Sequence, residues 1–181
     1  VALTDIIQVV LLVFGGLMVS SIALGEIGGE SGIIGGFNML TEQLPEKFDM
    51  ILSKESKYYN LLPGVSVLIG GMWMMNLSYW GFNQYVIQRA LAAKDIHEAR
   101  KGIVFAAFLK ILMPIIVVLP GIAAALLVTD LTTADQAYPE MMKLLPVGIK
   151  GLVFAALIAA ILSSLGSMMN SISTIFTLDI Y

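Results

Sequence analysis

Lys110 stands alone as a charge inside the apolar run Ile103 to Thr129. It lies about eight residues into that run, roughly 12 Å along a helix. An ammonium at bilayer depth costs at least about 2.5 kcal/mol and usually faces a partner or a cavity. A lysine in the inner half of a span has a second option, which is to snorkel its head to the interface. Both readings stand on position alone.

A second concentration of polar groups runs from Trp73 to Tyr85 and includes Asn76, Ser78, Tyr79, Trp80, Asn83 and Gln84. So many hydrogen-bonding side chains in an uncharged run are poorly suited to lipid, where each would be unpaired. Asn76, Tyr79 and Asn83 fall at i, i+3 and i+7, on one stripe of a continuous helix. Gly81 gives the helix a place to unwind between them. Amides and hydroxyls beside an aromatic face suit a neutral sugar. The same groups also serve as hydrogen-bonding glue between membrane helices.

The run Gly151 to Leu178 is rich in small residues, among them Ala155, Ala156, Ala159, Ala160, Ser163, Ser164, Gly166 and Ser167. Close helix packing is one use for them. A sodium site is another, since a hard cation takes hydroxyl and carbonyl oxygens. Ser164 follows Ala160 by four residues, which brings its hydroxyl near the Ala160 carbonyl, and Ser163 adds a second oxygen. Asp5 lies at the edge of the first run, where an ordinary interfacial acid also fits. His97 falls in a charged loop and reads as solvated. No zinc-protease, nucleophile-elbow or phosphate-loop motif is present, so the chain does not read as an enzyme.

The elements that must position these residues are membrane spans. Apolar residues make up 58% of the 181 and charged ones 13%, against about 45–50% and 25% in a soluble domain. Mean hydropathy is +0.89. Four runs reach the roughly 20 residues needed to cross the hydrocarbon core: 6–24, 61–88, 103–129 and 151–178. Gly70, Gly71 and Gly81 interrupt the second, and Pro114 and Pro120 the third. Such breaks persist at membrane depth where protein or a wet cavity satisfies the freed backbone groups.

The fold class expected is therefore all-α integral membrane, with four transmembrane helices. The outer loop 25–60 should carry two short helices, one through Phe37, Leu40 and Leu44 and one opened by Pro45. The pairs Gly28-Gly29 and Gly35-Gly36 read as turns. Loop 89–102 holds Arg89, Lys94, Arg100 and Lys101 and is placed in the cytoplasm by the positive-inside rule, with loop 130–146 outside. Both ends then face the cytoplasm. The start is not a signal peptide, and the missing initiator methionine suggests a piece of a longer chain. A net charge of −3 gives no basic face for nucleic acid. Without cysteine there is neither a disulfide nor a thiolate metal site.

Several stretches together resemble the sodium/solute symporter family, and its sodium/glucose cotransporter group in particular. They are NLSYWGFNQYVIQRALAAK at 76–94, KGIVFAAFLK at 101–110, LPGIAAALL at 119–127 and LPVGIKGLVFAALIAAILSSLGSMMNS at 145–171. The resemblance implies a fragment of an inverted-repeat, five-plus-five transporter core, contributing its helices five to eight. It implies sodium-coupled sugar symport by alternating access, in a multi-pass protein of the cell inner (plasma) membrane. Tyr79 matches an aromatic inner gate that stacks on the sugar, and Asn76 the amide that holds it. Lys110 matches a lysine that bonds sugar hydroxyls. The Ala160 carbonyl, Ser163 and Ser164 match half of a sodium site, and Asp5 an acid on the sodium path to the cytoplasm.

Ser78 departs from the galactose carriers, in which a tyrosine precedes the gate, so the sugar stays open. A sialic acid, myo-inositol or amino acid is the alternative cargo, and a non-transporting membrane subunit the alternative class. Gly166 removes one oxygen from the turn where relatives bind a second sodium, implying one ion per sugar. The remaining helices of the transporter should complete both sites.

Overall fold

The computed structural model describes residues 2–56, 59–60, 64–129, 131 and 133–180. The expected start of the second run, Leu61, lies outside the described residues, as do Lys57 and Asp130. All regular structure among the described residues is helical. The chain divides into two compact units, Val1–Gln43 with Leu109–Met169 and Leu44–Phe108 with Asn170–Tyr181.

In the first unit, α1 (Ala2–Gly28) ends in a 3₁₀ turn, Gly29–Ser31, and α2 (Gly32–Gln43) folds back on it. Gly29 (φ 52°) and Gly32 (φ 63°) supply the left-handed backbone of this reversal, which other residues adopt only under strain. The two helices then touch backbone to backbone. A Cβ on Gly36 would lie 1.9 Å from the Leu24 carbonyl oxygen. The pair Gly35-Gly36 is thus inside α2 rather than in a turn, and its role is close approach.

Further along come α6 (Leu119–Leu127), α7 (Ala137–Met142) and α8 (Val147–Ile175). Val19 and Ala23 of α1, Leu40 of α2, Ala123 and Ala124 of α6 and Met141 of α7 form the buried centre. Helix α8 is antiparallel to α1. Asp5 meets Ser163 at one end of the pair, and ten residues along each helix Gly15 lies against Val153, too close for a Cβ.

In the second unit, α3 (Met72–Leu77) is continuous with wide π-helical segments on both sides, Val67–Gly71 and Ser78–Phe82. The helix stops at Asn83, whose backbone is extended (φ −81°, ψ 109°), and α4 (Gln84–Leu91) follows. A short turn leads into α5 (Ile96–Met113). The Asp95 carboxylate accepts the Glu98 amide there, and Lys101 pairs with Glu98. The unit boundary falls within α5 and again within α8.

Among the described residues, three helical runs are long and apolar enough to cross a membrane: Thr4–Gln43, Ile96–Leu127 and Val147–Ile180. The first includes the Gly29–Ser31 turn, so its straight part is α1. The expected run 61–88 is not among them: 61–63 lie outside the described residues, and the helix over 65–82 carries Asn76, Ser78, Tyr79 and Trp80 before it stops at Asn83. The proline-bearing run continues through Pro114–Val118 as a π-helical segment. The second short helix expected after Pro45 is a single 3₁₀ turn, Pro45–Lys47, with Ile51 and Leu52 beyond it non-helical.

Candidate functional site

The oxygens of α8 and the acid of α1 come together in the first unit. Ser163 Oγ donates to Asp5 Oδ1 at 2.5 Å. One turn on, Ser167 Oγ donates to the Ser163 carbonyl at 3.1 Å. Ala160, Ser163 and Ser164 are half-buried, and Ser167 is buried. A hydroxyl that gives its proton to a carboxylate keeps its lone pairs for another partner. A hard cation is such a partner. Among the described residues no three His, Cys, Asp or Glu side chains converge as a metal cluster. The donors on offer here are hydroxyls, a carbonyl and one carboxylate.

Lys110 belongs to the same unit and sits in the last turn of α5, exposed. Pro114 follows it by four residues and has no amide to close on the Lys110 carbonyl. The π-helical segment Pro114–Val118 begins there.

Asn76 and Tyr79 lie in the second unit. The Asn76 side-chain amide donates to the Met72 carbonyl at 2.8 Å, one turn back in its own helix, rather than to Tyr79. Tyr79 is in the π-helical segment, 46% exposed, with its ring edge-on to Trp80 (5.3 Å between centroids, 84° between planes). Its ring borders two hollows. One, of about 430 Å³, is also lined by Trp80, Tyr85, Arg89 and Glu98. The other, about 660 Å³ and more open, is lined by Met74, Met75, Ser78, Phe82 and Asn83. Arg89 lies over the Tyr85 ring at 5.8 Å, within reach of a cation–π attraction.

Asn83 does not continue the stripe of Asn76 and Tyr79. Its side-chain oxygen accepts the Tyr85 amide at 3.1 Å and caps α4. The direct Asp5–Ser163 bond was also not legible in sequence, since its partners are 158 positions apart. Spacing along one helix carries no record of a neighbour on another.

The sequence profile of the Sodium:solute symporter family matches residues 1–181. The chain belongs to that family. Its members are symporters rather than enzymes, with sodium as the coupling ion. The sequence is 52% identical to the sodium/glucose cotransporter of Vibrio parahaemolyticus, a match covering 98% of this chain and 36% of that protein. It is 37% identical to an uncharacterized symporter, YidK, of Escherichia coli K12, covering 99% and 31%. It is 32% identical to the human sodium/myo-inositol cotransporter 2, covering 98% and 30%. The chain thus spans about a third of the length of these relatives. With its apolar helices, family membership makes it a membrane protein.

Proposed function

We propose that this chain is part of a sodium-coupled symporter for a glucose- or galactose-like sugar. The observation that carries the reading is the oxygen-bearing turn of α8 against Asp5, in a family whose 52%-identical member is named a sodium/glucose cotransporter. Sodium is held by the Ala160 carbonyl, Ser163 and Ser164. Asp5 accepts the hydrogen bond of the Ser163 hydroxyl, which turns that oxygen's lone pairs toward the ion, and stands on the ion's path to the cytoplasm. Tyr79 stacks on the sugar and gates it, Asn76 holds that gate and bonds the sugar, and Lys110 bonds its hydroxyls. The Asn76 amide keeps its second hydrogen and its oxygen for this while the first hydrogen stays on the Met72 carbonyl.

Four spans, 6–24, 61–88, 103–129 and 151–178, lie in the inner membrane with loop 89–102 on the cytoplasmic side. The remaining helices of the transporter, embedded in the same bilayer, complete both sites. Sodium favours the outward-facing state only through its differential affinity for the two states. Its coupling to the sugar is therefore reciprocal. A polyol such as myo-inositol is the second reading, supported by the name of the human relative.

The test is uptake of labelled sugars and myo-inositol into proteoliposomes by the full-length protein, with and without sodium. Sodium-dependent accumulation of glucose or galactose is expected. Selective accumulation of myo-inositol moves the cargo to the second reading. No sodium-dependent uptake of any of them rejects symport of a sugar or polyol and leaves another solute, such as a sialic acid or amino acid, or a non-transporting subunit.

A further inference from the structure

Ser20 of α1 is 4% exposed, and its hydroxyl has two carbonyls in reach. The Gly16 carbonyl, one turn back in α1, is at 3.0 Å. The Ile115 carbonyl, in the π-helical segment Pro114–Val118, is at 2.5 Å. A serine has one proton to give, and the shorter bond runs across to Ile115. Serines in helices commonly bond back to i−4, so this outward bond needs a reason, and Pro120 supplies one.

Within the segment the Leu119 amide reaches back five residues to the Pro114 carbonyl. In that register the next amide, at position 120, would close on Ile115. Position 120 is proline and has no N–H. The Ile115 carbonyl thus lacks its helical donor at the place where the Ser20 hydroxyl arrives. Gly16, on the same face of α1, makes the approach possible. A Cβ there would lie 2.2 Å from Ile116 Cγ2 and 3.2 Å from the Ile116 carbonyl oxygen. Pro120 is itself fully buried and Ile116 is 5% exposed, so water has poor access to the break.

We propose that Ser20 is the surrogate donor for the amide Pro120 lacks, and that through Ile115 it positions the helix turn carrying Lys110. The break starts four residues after Lys110, so its geometry sets the direction of that turn relative to α1. Ser20 is a positioning residue and touches no cargo. The transport arm of this inference rests on the reading of Lys110 as a sugar contact. The pairing of Ser20 with Pro120 does not.

The experiment is a double-mutant cycle in the full-length protein with Ser20→Ala, Pro120→Ala and both, reading thermal stability and the KM for D-glucose. Ser20→Ala alone should raise KM about tenfold, the scale of one lost buried hydrogen bond, with little change in maximal rate. With alanine at 120, whose amide can serve the break, Ser20→Ala should change KM less than about twofold. Ser20→Thr, which keeps the hydroxyl, should stay near wild type. Additive effects in both readouts, or an unchanged KM and melting temperature in Ser20→Ala, would overturn the proposal. If Ser20→Ala does not fold, rescue of its yield by Pro120→Ala supports the pairing, and failure of the double variant refutes it. Lys110→Ala is run in parallel. Wild-type KM there removes Lys110 from the sugar site, and the Ser20–Pro120 pairing is then still decided by the melting temperatures.

Discussion

Two of the helix interruptions among the described residues are resolved in opposite ways. At Pro114–Val118 the chain keeps a wide helical path, and a serine from another helix serves the Ile115 carbonyl. At Asn83 the helix stops outright, and the residue at the break caps the next helix with its own side chain. The first is packed under α1, with Ile116 and Pro120 buried. The second is open, with Phe82 79% exposed and Tyr79 and Trp80 nearly half exposed. A break satisfied by a neighbour is tied to that neighbour, whereas one capped by its own side chain is free of that tie. The free break is the one beside the proposed gate, and the held one is beside the proposed sugar lysine.

Substitutions at the two side chains in question should break that comparison most severely. Lys110→Ala should abolish measurable uptake in a protein that still folds and inserts. Loss of a donor to a buried partner costs about 1–3 kcal/mol, and more when it is charged. Transport with unchanged apparent affinity would make Lys110 a snorkelling residue. At the free break, Tyr79→Ala should lose uptake, whereas Tyr79→Phe should retain most of it, because the ring face does the stacking. Equal loss in both would transfer the role to the hydroxyl. Uptake by proteoliposomes measures all three.

Much of this arrangement was legible in sequence because composition and helix breakers act locally. Among the described residues, three of the four apolar runs overlap long apolar helices, and both wide segments flanking α3 and the one at Pro114 contain glycines or a proline named from the sequence. Lateral partners were not legible. In an apolar helix nearly every position suits either lipid or protein, so periodicity does not reveal which face meets which helix. Asp5 and Ser163, Ser20 and Ile115, and Gly36 and Leu24 are all contacts of this kind. Asn83 failed for a different reason. The stripe reading assumed one continuous helix, whereas asparagine is also among the best residues for starting a new one.

The ion site sharpens the comparison at a smaller scale. Ser164→Ala removes one of the proposed oxygens while leaving the Asp5–Ser163 bond in place. It should raise the sodium concentration for half-maximal uptake by about tenfold, the scale of about 1.4 kcal/mol. The dependence on sodium should have a Hill coefficient near one. Gly166 offers no side-chain oxygen, which leaves a second site short of a ligand. A sigmoidal dependence approaching two would sink the single-ion proposal and make Asp5 and Ser167 ligands of a second ion.

The smallest effect is expected at Asn83, and it asks whether the free break is held by nothing but its own cap. The side-chain oxygen of Asn83 satisfies one of the amides left open at the start of α4. Replacing a capping asparagine by alanine costs about 0.5–2 kcal/mol. Asn83→Ala should therefore lower the melting temperature of the full-length protein by a few degrees, and Asn83→Asp, which keeps the accepting oxygen, should hardly change it. If the cap is the only restraint, the effect of Asn83→Ala is confined to stability and to the rate at which the gate moves, with sodium affinity unchanged. A large loss of sodium affinity in Asn83→Ala would instead show that the break is tied to the ion site. The contrast between a held and a free interruption would then have to be abandoned.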